Sequence, residues 1–415
     1  MSFDRSSAVR RIAIDLDTLL AGSSLTAECL VEALRRRPGI ALLLPFWWMR
    51  GKPFLRQRLA EHAKLDVATL PYADCAVEEL TRTAQDGAQV VLVTTADAAL
   101  ALQVAKHLGI GAVESGPQQR SAARASFGWI WRALRPYQWL KNGLVFVPFL
   151  LAHEINAVNK WAAGILLFFA FSFCASAGYV VNDILDRRQD RLHPRRRLRP
   201  IASGEAPLAH AMWLPVPLLG LTALCCAFLP IECSVALAAY LAMTTFYSVV
   251  AKKLVVADVL LLALLYLLRL FAGSLATHNV LSHWLLAFAL TLFLSLALCK
   301  RVSELSVWRS IEHDAAPGRN YRAEDIPVLQ MMAVASGFLA CLIMVLYIQS
   351  PEILRLYRRP ECLWVGVVAL LYWLGRLFIY SHRGECPDDP LLFAVQDRTT
   401  LVMMAIASVL AVAAV

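Results

Sequence analysis

Charge is in short supply along this chain: 17% of its 415 residues are Asp, Glu, Lys or Arg, while 59% are hydrophobic. Soluble domains carry about a quarter charged residues, so a water-bathed fold is excluded for most of the length and a membrane is the expected solvent. Cysteine patterning is missing as well. The ten cysteines include no C-x-x-C pair, and the adjacent Cys225 and Cys226 lie inside an apolar run. That argues against a zinc site or a disulfide framework and leaves small buried hydrophobes. The net charge of +9 is not gathered into a basic patch interleaved with aromatics on a soluble fold, so no nucleic-acid partner is expected. The opening "MSFDRSSAVRRIAIDLDTLLAG" lacks the apolar core and small-residue cleavage site of a signal peptide, and the N-terminus is expected in the cytoplasm. No histidine stands out as a catalytic base; His153, His278 and His283 fall at the rims of apolar runs.

What the chain has is long apolar runs after residue 125. Nine stretches, 143–157, 160–181, 210–230, 233–250, 256–276, 283–299, 328–349, 362–380 and 399–415, approach or reach the length of a bilayer crossing. The first is weak, since it carries Pro148, His153 and Glu154. Lys and Arg concentrate in the loops that a cytoplasmic N-terminus would leave inside, in keeping with the positive-inside rule. The expectation is an all-α polytopic bundle of nine transmembrane helices in the inner (plasma) membrane. Its richest polar stretches, 182–208, 247–258 and 300–327, share the cytoplasmic face. Before residue 125 charged and apolar residues alternate as in a small soluble α/β domain, with "RRIAIDLDTLL" and "AQVVLVTTAD" as buried strands. The expected organisation is a cytosolic domain over 1–120, an interfacial linker over 121–140 and a transmembrane domain over 141–415. Within the first, "ALLLPFWWMRGKPFLRQRLAEHA" is too short to span and is expected to lie on the membrane surface.

The densest chemistry is "VVNDILDRRQDRLHPRRRLRPIASGE", residues 180–205, which packs three aspartates and seven arginines into the end of an apolar span. Asp183, Asp186 and Asp190 are spaced i, i+3, i+7, so a continued helix sets them on one face, with Asn182 on a neighbouring line. Carboxylates stacked this closely repel unless a cation lies between them. Mg²⁺ suits the site, because it takes one or two carboxylates and completes its shell with waters and phosphate oxygens. Arg191, Arg195, Arg196, Arg197 and Arg199 then become phosphate clamps, their guanidiniums matching phosphate in two-pronged geometry. The plainer alternative is a basic anchoring loop moderated by its acids.

N-D-x-x-D-x-x-x-D followed by "RPIASGE" resembles the first acidic motif of the UbiA superfamily of intramembrane prenyltransferases. The resemblance covers about 125–415. It implies a nine-helix bundle, Mg²⁺, a diphosphate substrate, a polyprenyl lipid, and metal and diphosphate duties for Asn182, Asp183, Asp186 and Asp190. "RPYQWLKN" (135–142), "YSVVAKKLVVADVLLLALLYLLRLFAG" (247–273) and "CKRVSEL" (299–305) resemble the decaprenyl-phosphate phosphoribosyltransferase-like branch, which moves phosphoribose onto a polyprenyl phosphate. Aromatic prenyltransferases of the superfamily carry a second acidic motif where this chain has Lys300, Arg301 and Glu304. One acidic site facing a basic pair favours an anionic acceptor. Lys141, Lys252, Lys300 and Arg301 are the candidates for holding acceptor or ribose phosphate, with Tyr247 in the same quoted stretch. Arg269 and Asp258, charges in or beside an apolar span, are candidates for a site or an ion pair. An aromatic prenyltransferase acting on a 4-hydroxybenzoate-type acceptor, with acids drawn from Glu304, Glu312, Asp314, Glu324 and Asp325, remains open. So does a non-catalytic scaffold or transporter, though no inverted repeat is visible.

"IAIDLDTLL" resembles the first motif of haloacid dehalogenase-like phosphatases, which would make Asp15 the nucleophile and Asp17 the acid/base. "VVLVTTAD" resembles the second motif, with Thr94 or Thr95 holding phosphate. Thr18 and Leu19 stand where Gly and Thr belong, Lys106 is a poor third-motif lysine, and no paired aspartates follow. A degenerate domain is expected, serving as scaffold or phosphate binder. In "GECPDDPLLFAVQDR" (384–398), Pro387 and Pro390 point to a loop, and Asp397 with Arg398 is a candidate for closing over the site.

Overall fold

A computed structural model describes residues 11–86, 88–116, 127–192, 196–309, 320–351, 353, 357–386, 393 and 397–414. The chain forms two compact units, one built from residues 1–136 with 176–219 and the other from 137–175 with 220–415. The second half of the Val158–Leu192 helix, from Ser176 onward, belongs to the first unit together with the N-terminal residues.

In the first unit, β1 (Arg11–Asp15), β2 (Gln89–Thr94) and β3 (Ala112–Ser115) form a three-stranded parallel sheet in the order β1-β2-β3. Ile12 pairs with Val90, and Val93 with Glu114. Parallel neighbours require crossovers. Helices Leu25–Arg36, Lys52–Ala63 and Asp74–Gln85 lie in the first connection, and Ala98–His107 forms the second. Leu16, Leu19, Leu25, Leu59, Leu92 and Val104 fill the core beneath them. The stretch expected on a membrane surface is a 3₁₀ turn, Pro38–Leu42, followed by a short helix, Leu44–Met49. It leaves Leu42, Phe46, Trp48 and Met49 exposed and turns Trp47 inward beside His62.

A second apolar cluster in this unit joins Val31 of the Leu25–Arg36 helix, Trp129, Ala133, Val180, Ile184, Ile201 and Leu208. The backbone closes tightly beside it. Gly22, at φ +59°, sits so near Gly204 that a Cβ would meet the Gly204 carbonyl oxygen at 1.9 Å, and Leu208 N donates to Gly22 O at 2.8 Å. Gly22→Ala is therefore expected to cost more than about 1 kcal/mol, read as a lowered melting temperature of the detergent-solubilised protein, because both the left-handed backbone and the contact penalise a side chain.

Seven helices among the described residues are long and apolar enough to cross a membrane: Val158–Leu192, Leu208–Cys226, Ile231–Val249, Ala257–Thr277, His283–Val307, Ala323–Ile348 and Pro360–His382. Nine were expected, and two fall short. Over 143–157 the chain runs as a 3₁₀ segment, Pro136–Phe146, then a five-residue helix, Val147–Leu151, with Pro148 in its first turn and His153 in a left-handed conformation just beyond. At the other end the apolar helix Arg398–Ala414 has 17 residues, at the short limit for a crossing. In the second unit the core gathers Val259, Leu270, Phe293, Leu296, Val302, Leu329, Ala333 and Leu377. Gly273 lets the Ala257–Thr277 helix meet Val145, whose carbonyl oxygen lies 2.2 Å from where a Cβ would stand.

Candidate functional site

In the first unit, the Val158–Leu192 helix continues unbroken through its polar end, as the i, i+3, i+7 spacing requires. Asp183 and Asp190 are both buried and converge on one atom: Arg199 Nη1 lies 3.2 Å from Asp183 Oδ1 and 2.7 Å from Asp190 Oδ2. Arg135 caps the same acid, its Nη2 at 2.5 and 2.6 Å from the two Asp183 oxygens, and its guanidinium lies over the Tyr179 ring. Asn182 and Asp186 are half-buried on the same helix, with Asp186 within charge reach of Arg35. No three His, Cys, Asp or Glu side chains gather into a metal-holding group among the described residues, so the converging donor set is the pair Asp183 and Asp190.

Arg199 reaches this position from the "RPIASGE" loop. That loop is pinned by Ser203 N to Arg199 O (2.9 Å), Ala206 N to Pro200 O (2.8 Å) and the ion pair of Arg132 with Glu205. Arg191 turns elsewhere: it donates to Ala202 O, Thr69 O and Glu28 Oε1. Arg196 adds its field at Asp190 and Arg197 is exposed, while Arg195 lies outside the described residues.

The second unit holds two further polar clusters. Arg301, fully enclosed, has Nε 2.7 Å from Asp258 Oδ2, pairs with Glu304 one turn on, and donates to Tyr247 OH at 3.0 Å. Tyr321 OH donates to Asp258 Oδ1 at 2.5 Å and accepts from Val256 N at 2.8 Å. The basic pair expected to receive an anion is thus divided. The charge of Arg301 is matched by two carboxylates, and Lys300 is half-buried beside it. Lys252 is half-buried in the turn after the Ile231–Val249 helix.

Arg269 occupies the middle of the Ala257–Thr277 helix. It is buried among neutral groups: Nε donates to Asn142 Oδ1 (2.8 Å), Nη1 to Leu265 O (2.6 Å) and Nη2 to Tyr240 OH (3.0 Å). The rings of Phe171, Tyr240 and Tyr266 lie 4.8–5.8 Å from its central carbon. Cation–π contact substitutes here for a counter-ion. Lys141 Nζ lies over the same Tyr266 ring, 5.8 Å from its centre.

At the N-terminal sheet the acids singled out by motif are committed to local structure. Asp15 Oδ1 accepts from Asp17 N (2.9 Å), Asp17 Oδ1 accepts from Leu25 N (3.0 Å), and buried Thr94 Oγ1 accepts from Ala96 N (3.0 Å). Lys106 ends the Ala98–His107 helix. Asp397 accepts from Thr400 and pairs with Arg376 at 2.7 Å, capping the last helix. His153 meets Tyr357 OH at 3.1 Å, and His278 ends a helix in left-handed conformation. Glu312, Asp314, Pro387 and Pro390 lie outside the described residues.

Three participants were not singled out from sequence. Arg135 begins "RPYQWLKN", but its reach depends on a left-handed backbone, φ +53°, which no sequence signal marks. Arg187 and Glu28 form a fully buried pair 159 residues apart, Nε to Oε2 at 2.8 Å; the only hint was an arginine between two motif aspartates. Burial pushes the Glu28 carboxyl up, but Arg187 and Arg191 outweigh it and hold Glu28 below its ordinary value of 4.5. Because the folded value is the lower one, this acid stabilises the fold above about pH 4.5, and the contribution is lost as pH falls through the folded value. The melting temperature should therefore drop on acidification from pH 5 towards about 3, and Glu28→Gln should flatten that limb while lowering the neutral-pH plateau.

The geometry describes a helical membrane protein with a buried acid pair built around guanidinium charge at one end of a long span. The profile of the UbiA prenyltransferase family matches residues 144–396, and the chain belongs to that family as a multi-pass membrane protein. It is 33% identical to nodulation protein NoeC of Azorhizobium caulinodans, over 68% of this chain and 91% of the relative. It is 36% identical to decaprenyl-phosphate phosphoribosyltransferase of Mycobacterium tuberculosis, over 42% of this chain. That match spans 59% of the relative's length. Among solved structures, a UbiA homolog from Archaeoglobus fulgidus bound to DMAPP and Mg²⁺ is similar at a TM-score of 0.47 and 17% identity, covering 68% of this chain and 99% of that one.

Proposed function

We propose that this protein is a Mg²⁺-dependent transferase that moves phosphoribose from phosphoribosyl pyrophosphate to a polyprenyl phosphate at the cytoplasmic face of the inner membrane. The observation that carries the reading is the convergence of buried Asp183 and Asp190 on a single cationic atom, Arg199 Nη1. A point of positive charge already sits between the two acids, so the pair suits a hard cation that needs only one or two carboxylates and takes phosphate oxygens besides. Asp183 and Asp190 would hold Mg²⁺, with Asp186 and Asn182 next to them on the helix. When bound, the ion supplies charge neutralisation for a departing pyrophosphate.

The remaining roles belong to the chain's own side chains. Arg199 and Arg135 present guanidiniums at the same carboxylates and are suited to grip pyrophosphate oxygens in two-pronged contacts. The charge of Arg301 is matched by Asp258 and Glu304, and Lys141, Lys252 and Lys300 are the proposed cations for an anionic acceptor or the ribose phosphate. Arg269 orders Asn142 and Tyr240 and shares the Tyr266 ring with Lys141. A lipid phosphate is ionised near neutral pH and needs no general base, in keeping with clusters in which no histidine takes part among the described residues. Catalysis would rest on positioning and charge stabilisation. The partial likeness to decaprenyl-phosphate phosphoribosyltransferase supports the choice of donor and acceptor.

The N-terminal sheet is read as a degenerate haloacid dehalogenase-like domain without phosphatase turnover, because the later motifs are missing from the sequence and Asp15, Asp17 and Thr94 each commit one oxygen to a backbone N–H group. Asp15→Asn should leave transfer within about twofold of the parent and cost roughly 0.5–2 kcal/mol of stability from the weakened turn.

The purified protein with Mg²⁺, a polyprenyl phosphate and phosphoribosyl pyrophosphate should release pyrophosphate and form a phosphoribosyl lipid, resolved by mass spectrometry. A parallel mixture of isoprenyl diphosphate and 4-hydroxybenzoate should give nothing. Product in the second mixture alone would overturn the acceptor assignment, and product in neither would favour a scaffold or transporter.

A further inference from the structure

The acidic helix carries arginines interleaved with its aspartates, and their spacing is hazardous. Arg187 lies four residues after Asp183 and three before Asp190, the separations at which opposite charges on one helix meet. Left to itself it would fold back onto the acid pair and place a second cation where Arg199 already sits. The structure sends it the other way. Arg187 Nε and Nη2 both reach Glu28 Oε2 at 2.8 Å, Nη2 also reaches Glu28 O at 3.2 Å, and Nη1 donates to Ile184 O at 3.0 Å. The second Glu28 oxygen takes Arg191 Nη2 and Ser23 Oγ, each at 3.0 Å. Glu32, one turn further along the same N-terminal helix, lies 3.3 Å from Arg188 Nη1. Glu28, Glu32 and Arg187 are all at most 1% exposed.

Two buried glutamates on one face of the Leu25–Arg36 helix thus draw off all three arginines that alternate with Asp183, Asp186 and Asp190. The pairing is anchored by apolar contact, since Val31 of that helix clusters with Val180 and Ile184 of the acidic helix. The "RPIASGE" loop that delivers Arg199 is held by the same neighbour, through Leu208 N to Gly22 O and the close Gly22–Gly204 approach.

We propose that Glu28 is a positioning residue for the metal–diphosphate site: it keeps Arg187 off the aspartates so that they remain available to a divalent cation, while Arg191 is also held by the Ala202 and Thr69 carbonyls. The N-terminal helix is on this account a working part of the transferase. The inference rests on the metal reading above, and its test separates the two.

The probe is Mn²⁺, whose free-ion paramagnetic resonance signal is titrated against the full-length protein in detergent with no substrate present, alongside a melting curve for each variant. Wild type should bind Mn²⁺ and Asp183→Asn should not; equal binding by these two would remove the metal reading and this inference with it. With that difference in hand, Glu28→Gln should weaken Mn²⁺ binding on the order of tenfold, since one released guanidinium near the acids competes directly. Glu28→Gln/Arg187→Gln should recover binding to within about threefold of wild type, because the competitor is gone, even where the melting temperature stays low. Glu28→Asp, which keeps the charge, should bind more tightly than Glu28→Gln. Unchanged Mn²⁺ affinity in Glu28→Gln would overturn the proposal. So would a double variant that binds no better than the single one, because a merely structural pair would lose affinity in step with stability and regain nothing on losing Arg187.

Discussion

Asp183→Asn is expected to lower transfer by at least about 10²–10³-fold while the protein remains folded. Asp183 is buried and accepts from Arg135 at 2.5 and 2.6 Å and from Arg199 at 3.2 Å. An amide of the same shape keeps part of that hydrogen bonding and removes the negative charge on which a cation depends. Stability should fall as well, because two guanidiniums lose an anionic partner, so turnover is to be read per folded molecule across a Mg²⁺ series. Loss that added Mg²⁺ cannot restore is the expected pattern. Asp190→Asn should follow it more weakly, since Asp190 shares only Arg199 with its neighbour.

The largest effect on stability is expected at Arg301. Its guanidinium is enclosed and serves Asp258 and Glu304, with Tyr247 OH beside it. Replacing it by leucine leaves Asp258 buried without a cationic partner, its remaining contacts being neutral donors such as Tyr321, and stripping one member from a buried ion pair costs about 3–5 kcal/mol. Arg301→Leu with Asp258→Asn should cost much less than Arg301→Leu alone, because the uncompensated charge is gone. Unfolding midpoints in mixed micelles check both. Equal losses in the single and double variants would mean that Arg301 matters for its shape and not for its charge.

The division of labour between these two arginine clusters was only partly legible in the sequence. Helical spacing marked Asp183, Asp186 and Asp190, and the uninterrupted helix to Leu192 bears that local geometry out. Which acids converge was not legible, because it depends on a loop turning back to deliver Arg199 nine residues after Asp190. Arg301 looked like a free cation because a sequence shows a charge without its neighbours. Asp258 lies 43 positions away, and only packing of the Ala257–Thr277 and His283–Arg309 helices brings the two together.

The same limit applied less to the spans. Pro148, His153 and Glu154 already marked 143–157 as the weakest of the nine stretches, and in the fold Pro148 and the left-handed His153 break it into short pieces. Asp15 and Asp17 carried the right letters for a phosphoryl site, yet a D-x-D at the end of a strand is equally good at tying down the turn and helix start that follow it. Glu28 gave no sign at all. Its value comes from burial against a helix more than 150 residues later, and a long-range ion pair leaves no periodicity to read.

The central claim, a divalent cation seated between Asp183 and Asp190, is tested most directly by anomalous diffraction from crystals grown with Mn²⁺ and phosphoribosyl pyrophosphate. The account predicts an anomalous peak at those two carboxylates, with the Arg199 guanidinium moved off them and onto phosphate. A metal peak elsewhere in the protein, with Arg199 still bridging Asp183 and Asp190, would contradict it.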